Sequence, residues 1–263
     1  MGFKIASERG GHFAAPIRTI GSTAQSAFPQ ANLTEWWAPY RQARATGNTS
    51  GTTYFGLDFG AAVNVAAVIV GNVNVASIKI QGHTADSWGS PTRDSGALTV
   101  LQDALTGRYN CIYQPSGWTS GTRYVRVLSN TATETDSTDV FAVGYMLVLT
   151  TLSELSTPLA DPIGLTPTEA VLSQELSGGG DDTVGIGRVR ANISIAQSVF
   201  AGDNDSEILT FLRREGRHGA FAFYLNDGDT SQVYVCRRAA EAGLTLTGPN
   251  ARNLAPVALR ELI

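Results

Sequence analysis

Residues 54–82 read YFGLDFGAAVNVAAVIVGNVNVASIKIQG, with one acid, Asp58, and one base, Lys79, in an otherwise apolar, Gly- and Val-rich run. Such a run must be largely buried. VNVAAVIVGNV (63–73) predicts a strand covered on both faces if it is continuous. ASIKIQGH (76–83) alternates instead, with Ile78 and Ile80 on one face and Lys79 and Gln81 on the other. An acid near the start of this run needs a reason, either chemical or structural.

The neighbouring segments extend the same pattern. RYVRVLS (123–129) alternates, and VFAVGYMLVLTTL (140–152) reads as a long closing strand. The turn-rich stretches TADSWGSPTRDSG and QPSGWTSGT lie between them. Residues 31–152 therefore read as one β unit, preceded by residues 1–30 as an extended arm or first edge strand. Residues 153–183 read as a linker, because STPLADPIGLTPTEA holds three prolines in 15 residues and LSGGGDD follows.

Residues 184–263 read as a small α+β domain. TVGIGRVRANISIAQSV predicts a long strand with Val189, Ala191, Ile193 and Ile195 on one face and Arg188, Arg190, Asn192 and Ser194 on the other. DNDSEILTFLRREG (203–216) predicts one clear helix. Asn204 and Glu207 have capping-box spacing, Ile208, Leu209, Phe211 and Leu212 form an apolar face, and Gly216 is the stop. HGAFAFYLND and SQVYVCRRA predict a hairpin around NDGDT.

Composition narrows the function. The chain has 263 residues, 43% hydrophobic and 16% charged, with a formal net charge of −4. Without a basic cluster, a nucleic-acid partner is not expected. No run reaches the roughly 20 apolar residues of a membrane span, and MGFKIASERGG lacks the apolar core of a signal peptide. Cys111 and Cys236 lie far apart and read as two reduced, buried thiols. His12, His83 and His218 stand in loop-like contexts without metal-site spacing and read as solvated. DNDSE imitates the opening of a calcium loop but lacks its later Gly and Glu, so the acids read as helix caps. No nucleophile motif or phosphate loop occurs. The expectation is a protein that is not an enzyme and carries no cofactor and no metal.

The order of segments in the first half resembles the discoidin-like, or galactose-binding-like, jelly roll. The residues that carry the likeness are Leu57-Asp58-Phe59-Gly60, Asp86-Ser87-Trp88, Arg123-Tyr124-Val125-Arg126 and the strand around Tyr145 to Leu149. The family's usual Asp-Gly pair is Asp86-Ser87 here. The resemblance implies a β-sandwich jelly roll in which Asp58 stands at a strand end and accepts backbone N–H bonds. The second half is similar in style to small β domains of tailed-phage tail-tip and baseplate proteins, such as distal-tail and minor tail proteins. That likeness implies a virion component assembled in the host cytoplasm as a homo-oligomeric ring, with other tail proteins as partners and a host-surface glycan as a further one. A free carbohydrate-binding module or lectin is the alternative.

Flat aromatic rings stack on the C–H faces of sugars, so Trp36, Trp37, Tyr40, Arg41, Trp88 and Trp118 are the candidate ligand residues. Plugging the core is the competing role for each Trp. Arg188, Arg190 and Asn192 are the candidate assembly contacts, since two arginines on one strand face can pair with acids of a neighbouring copy.

Overall fold

The computed structural model describes residues 4–35, 41–118, 121–136, 138–154, 159–168, 171–175, 181–185, 190–200, 214–215, 219–225, 229–239, 244–248, 251–254 and 257–261. The fold is mainly β. Two antiparallel sheets make a sandwich from the first half. In one, Arg18–Gly21 lies at the edge beside Tyr54–Val63, followed by Thr122–Ser129, Ser77–His83 and Arg93–Asp94. In the other the order is Tyr145–Leu149, Ala67–Gly71, Tyr109–Tyr113 and Leu101–Gln102.

The core between them follows from the alternation. Phe55, Leu57, Ile78, Ile80, Val125 and Val127 of the first sheet meet Val68, Val70, Cys111, Met146 and Val148 of the second. The Tyr54–Val63 strand runs past Gly60, which adopts φ +73. Pairing slips there, from Tyr124 opposite Asp58 to Thr122 opposite Val63. An L-residue with a side chain is strained at that φ, so glycine permits the kink.

A third layer covers the sandwich. Every residue of Ala67–Gly71 is buried, as the apolar run predicts. Val68 and Val70 face the sandwich core, whereas Ala67 and Ile69 face outward with Ile112, Tyr145, Leu147 and Leu149. That outward face packs on Ala6, Ala220, Ala222, Tyr224, Val233 and Val235. These residues belong to a large sheet whose central run is Lys4–Ser7, Phe221–Tyr224, Val233–Arg238, Val257–Glu261 and Arg190–Phe200. The N-terminal segment thus supplies Arg18–Gly21 to the sandwich and Lys4–Ser7 to the second-half sheet.

The second half departs from expectation in two places. Residues 153–183, expected as a linker, contain the strands Leu159–Thr168, paired to Arg190–Phe200, and Val171–Glu175, paired to Asp181–Gly185. The helix expected over residues 203–216 is not seen as an element among the described residues. Only Arg214 and Glu215 of it are described, and both are helical; its cap and apolar face lie outside the described residues. The expected hairpin is present, with Phe221–Tyr224 paired to Val233–Arg238. In the strand before it Ala191 and Ile193 are buried, Arg190 and Asn192 half-buried and Ser194 exposed, as alternation predicts.

Both cysteines are free and buried. Burial pushes the Cys111 thiol up to about 12 and raises that of Cys236 well above its ordinary value, so both are poor nucleophiles near neutral pH. The histidines are more engaged than expected. His12 is half-buried and accepts the Ser7 N–H at Nδ1. His83 ends a strand and is half-buried, and its Nδ1 accepts the Ala85 N–H at 2.9 Å. The His83 proton then sits on Nε2 and donates to the Ser90 carbonyl at 3.1 Å. His218 lies outside the described residues. Among the described residues no helix is long and apolar enough to cross a membrane.

Candidate ligand-binding face

Strand alternation turns the polar residues of the first sheet onto its outer face. Two cross-strand rows are prominent. One runs Gly56, Arg126, Gln81, Asp94; the other runs Arg18, Asp58, Tyr124, His83.

In the first row Arg126 is buried at 7% exposure. Its Nε and one terminal nitrogen both donate to Gln81 Oε1, at 2.9 and 2.6 Å. Gln81 Nε2 donates in turn to Asp94 Oδ2 at 2.6 Å. Gly56 makes this possible, because a Cβ there would lie 2.9 Å from that of Arg126. The guanidinium lies 4.1 Å from the ring centre of Trp88 and 4.6 Å from that of Tyr54, within cation–π range of both. Trp88 is half-buried, and its indole N–H donates to Asp86 Oδ1 at 3.0 Å. The His83 ring meets it edge-on at 6.0 Å. The loop carrying Asp86-Ser87-Trp88 is therefore folded back on the sheet, with the indole held from beneath and at its edge.

In the second row Asp58 is fully buried. Its Oδ1 accepts the Gly60 N–H at 2.8 Å and Arg123 Nε at 2.8 Å; its Oδ2 accepts Arg18 Nε at 2.9 Å and a terminal Arg123 nitrogen at 3.2 Å. These bonds account for an acid in an apolar run. Asp58 accepts a backbone N–H as the resemblance implies, but it stands inside the Tyr54–Val63 strand instead of at a strand end, because the chain kinks at Gly60 and keeps pairing. It also clamps two arginines that were not among the candidates. The signal for Arg123 was its place beside Tyr124 in the quoted Arg-Tyr-Val-Arg stretch; Arg18, 40 residues away, had none. The Arg123 bonds, joined by those of Gly60 and Arg18, hold the Asp58 carboxyl well below its ordinary 3.8 against the opposing effect of burial. A carboxyl with a depressed folded-state pKa adds stability that is complete above its unfolded value and lost as pH falls below it. Asp58→Ala is therefore expected to lower stability near neutral pH. The arginines can rehydrate, so the orphaned Gly60 N–H dominates, at roughly 1–3 kcal/mol. The difference from the parent should shrink as pH drops below 3.8. Chemical denaturation over a pH series measures it, and a gap independent of pH would overturn this account of Asp58.

The other candidates have separate fates. Trp36, Trp37 and Tyr40 lie outside the described residues. Arg41 is exposed and bonded to Glu35 at 3.2 Å. Trp118 is 4% exposed and fills the sandwich core, edge-on to Tyr113 at 5.7 Å; it plugs the core instead of facing a ligand. Arg188 lies outside the described residues, while Arg190 and Asn192 stand in the second-half sheet, remote in topology from the sandwich face. Near Arg18 a cleft of about 300 Å³ is lined by Pro16, Ile17, Arg18, Thr19, Ala31 and Thr34. No group of three or more metal-ligating side chains occurs among the described residues; the DNDSE stretch lies outside them.

No family model and no curated protein matches the sequence. Among solved structures, a fucose binding module of Streptococcus pneumoniae aligns with a TM-score of 0.39 at 11% identity, over 51% of this chain and 94% of that one. A mutant lectin binding domain of lectinolysin complexed with Lewis b aligns at 0.39 and 12%, over 52% and 94%. A CBM32 module from a family 31 glycoside hydrolase of Clostridium perfringens aligns at 0.37 and 8%, over 53% and 99%. These are likenesses of strand arrangement over about half of this chain, at identities too low to carry a ligand across. None of the three is a tail or baseplate protein, and the tail-tip expectation gains no support from them.

Proposed function

We propose that this chain is a non-catalytic glycan-binding protein, with a discoidin-like sandwich as its binding module and Trp88 as its sugar-stacking platform. The observation that carries the reading is the way Trp88 is held. One cation supports its ring, one carboxylate fixes its N–H, and part of the ring stays at the surface. An aromatic side chain already locked in place loses little entropy on binding. Asp86 beside it, with the second carboxylate oxygen not used by the indole, offers an acceptor that sugar hydroxyls need.

Trp88→Ala is expected to weaken glycan binding by about tenfold or more, in line with a lost aromatic anchor, while the melting temperature changes little because the ring is only half-buried. A glycan array followed by calorimetry on the best ligand tests this. Unchanged affinity in the variant would remove Trp88 from the site.

A second reading keeps the module within a larger assembly, as a ring-forming tail-tip subunit with Arg188, Arg190 and Asn192 at its contacts. The second-half sheet, packed on the sandwich through a shared apolar core, is the layer that would carry those contacts. Light scattering separates the two. A stable monomer supports the free module, and a defined oligomer lost on reversing the charge of Arg190 supports the ring.

A further inference from the structure

We infer that the Arg18–Asp58–Arg123 cluster is an anion-reading subsite, which directs the binding face toward acidic saccharides carrying a carboxylate or sulfate. The inference rests on the glycan-binding reading and adds the ligand's charge class to it.

The charge arrangement carries the argument. One buried carboxylate is shared by two guanidinium groups, so one positive charge is left over within direct contact. The carboxylate is fully buried, whereas the side chains of Arg18 and Arg123 are 56% and 37% exposed. Asp58 takes the inward edge of each: Nε of Arg18, and Nε with one terminal nitrogen of Arg123. Each guanidinium has five N–H donors in a planar fork. The terminal donors not engaged by Asp58 or, for Arg18, by Tyr124 belong to side chains that reach solvent, and guanidinium forks are the groups suited to a carboxylate or sulfate. Arg123 is further steadied by the Tyr124 ring, 4.8 Å from its guanidinium carbon, and Arg18 by the Tyr124 side chain. Two long side chains are thus ordered before any ligand arrives, which removes much of the entropic cost of using them.

Position supports the same assignment. Arg18, Asp58, Tyr124 and His83 form one row, with adjacent strands about 5 Å apart. Trp88 packs on His83 at one end of that row, and the cleft of about 300 Å³ opens beside Arg18 at the other. A saccharide stacked on Trp88 and extended along the row passes the two arginines. Asp86, the other acid acting on Arg123, keeps its charge while bonded to the Trp88 indole, so the surplus positive charge is felt most at Arg18, on the far side of Asp58.

The experiment compares three probes on the full chain: an oligogalacturonate, a sulfated galactan oligosaccharide and their neutral galactan counterpart. At least one acidic probe is expected to bind about tenfold or more tightly than the neutral one, the value of one charge-assisted contact. That preference should fall steeply with added salt. The uronate and sulfate arms identify which anion is read. Arg18→Gln should erase the preference and leave neutral binding intact, and Arg18→Lys should restore part of it. The salt dependence of the parent needs no variant, so the test survives a poorly folding Arg18→Gln protein. Equal affinity for acidic and neutral probes, or a preference untouched by Arg18→Gln, overturns the inference alone. Binding of none of the three overturns it together with the glycan reading.

Discussion

Arg108→Met is expected to destabilise the protein by about 3–5 kcal/mol, the cost of stranding a buried charge. Arg108 and Glu261 are 7% and 2% exposed and joined by a direct ion pair. They link the loop before Tyr109–Tyr113 to the strand Val257–Glu261, and so tie the sandwich to the second-half sheet. The Glu261 Oε2 also accepts the Ala191 N–H at 2.9 Å. Burial pushes the Glu261 carboxyl up while Arg108 pulls it down. Without Arg108 the upward effects of burial and of the Asp103 charge are opposed by the Ala191 bond alone. A carboxyl whose folded-state pKa lies above its unfolded value binds protons more tightly when folded, so the variant should regain stability as pH falls and Glu261 takes up a proton. The double variant Arg108→Met/Glu261→Gln should recover part of the loss, because no buried charge is left and the amide oxygen can still accept the Ala191 N–H. Denaturant melts of the parent, both singles and the double variant form the cycle. A loss below about 1 kcal/mol for Arg108→Met, the range of an exposed pair, would mean that the pair is open to water and does not latch the layers.

The second large effect concerns the shared core. A fragment of residues 31–152, expressed alone, is expected to aggregate or to expose apolar surface. It would uncover Ile69, Ile112, Tyr145, Leu147 and Leu149, each at most 6% exposed in the whole chain. At about 1.5–3 kcal/mol per large apolar side chain, that loss is on the order of 10 kcal/mol, comparable to the stability of an entire domain. The fragment would also lose Arg18–Gly21 from its sheet edge and expose the backbone groups of Tyr54–Val63. Fluorescent-dye binding and sedimentation of the fragment beside the full chain measure this. A monomeric, cooperatively melting fragment would show that the sandwich stands alone and that the third layer is an accessory.

The contrast between what was legible and what was not comes down to distance along the chain. Alternation has a period of two residues and needs no partner, so the faces of Ser77–His83 and Thr122–Ser129 followed from sequence. Ile78, Ile80, Val125 and Val127 turn inward as expected. Burial of Ala67–Gly71 on both faces was legible for the same reason, since an unbroken apolar run has no polar face to offer water. What covers its second face was not legible, because Ala220, Ala222, Val233 and Val235 lie more than a hundred residues downstream and no local pattern links them. Asp58 divides in the same way. Its bond to the Gly60 N–H is local and was anticipated, whereas Arg18 and Arg123 reach it from 40 and 65 residues away. The tryptophans are the sharpest case. Trp88 and Trp118 both stand in Gly- and Ser-rich loops and are indistinguishable by composition. Only the folding back of one loop onto Arg126, and the turning of the other into the sandwich core, made the first a platform and the second a plug. A side chain's chemistry is written in the sequence, but its exposure is decided by the segments that the tertiary structure packs against it.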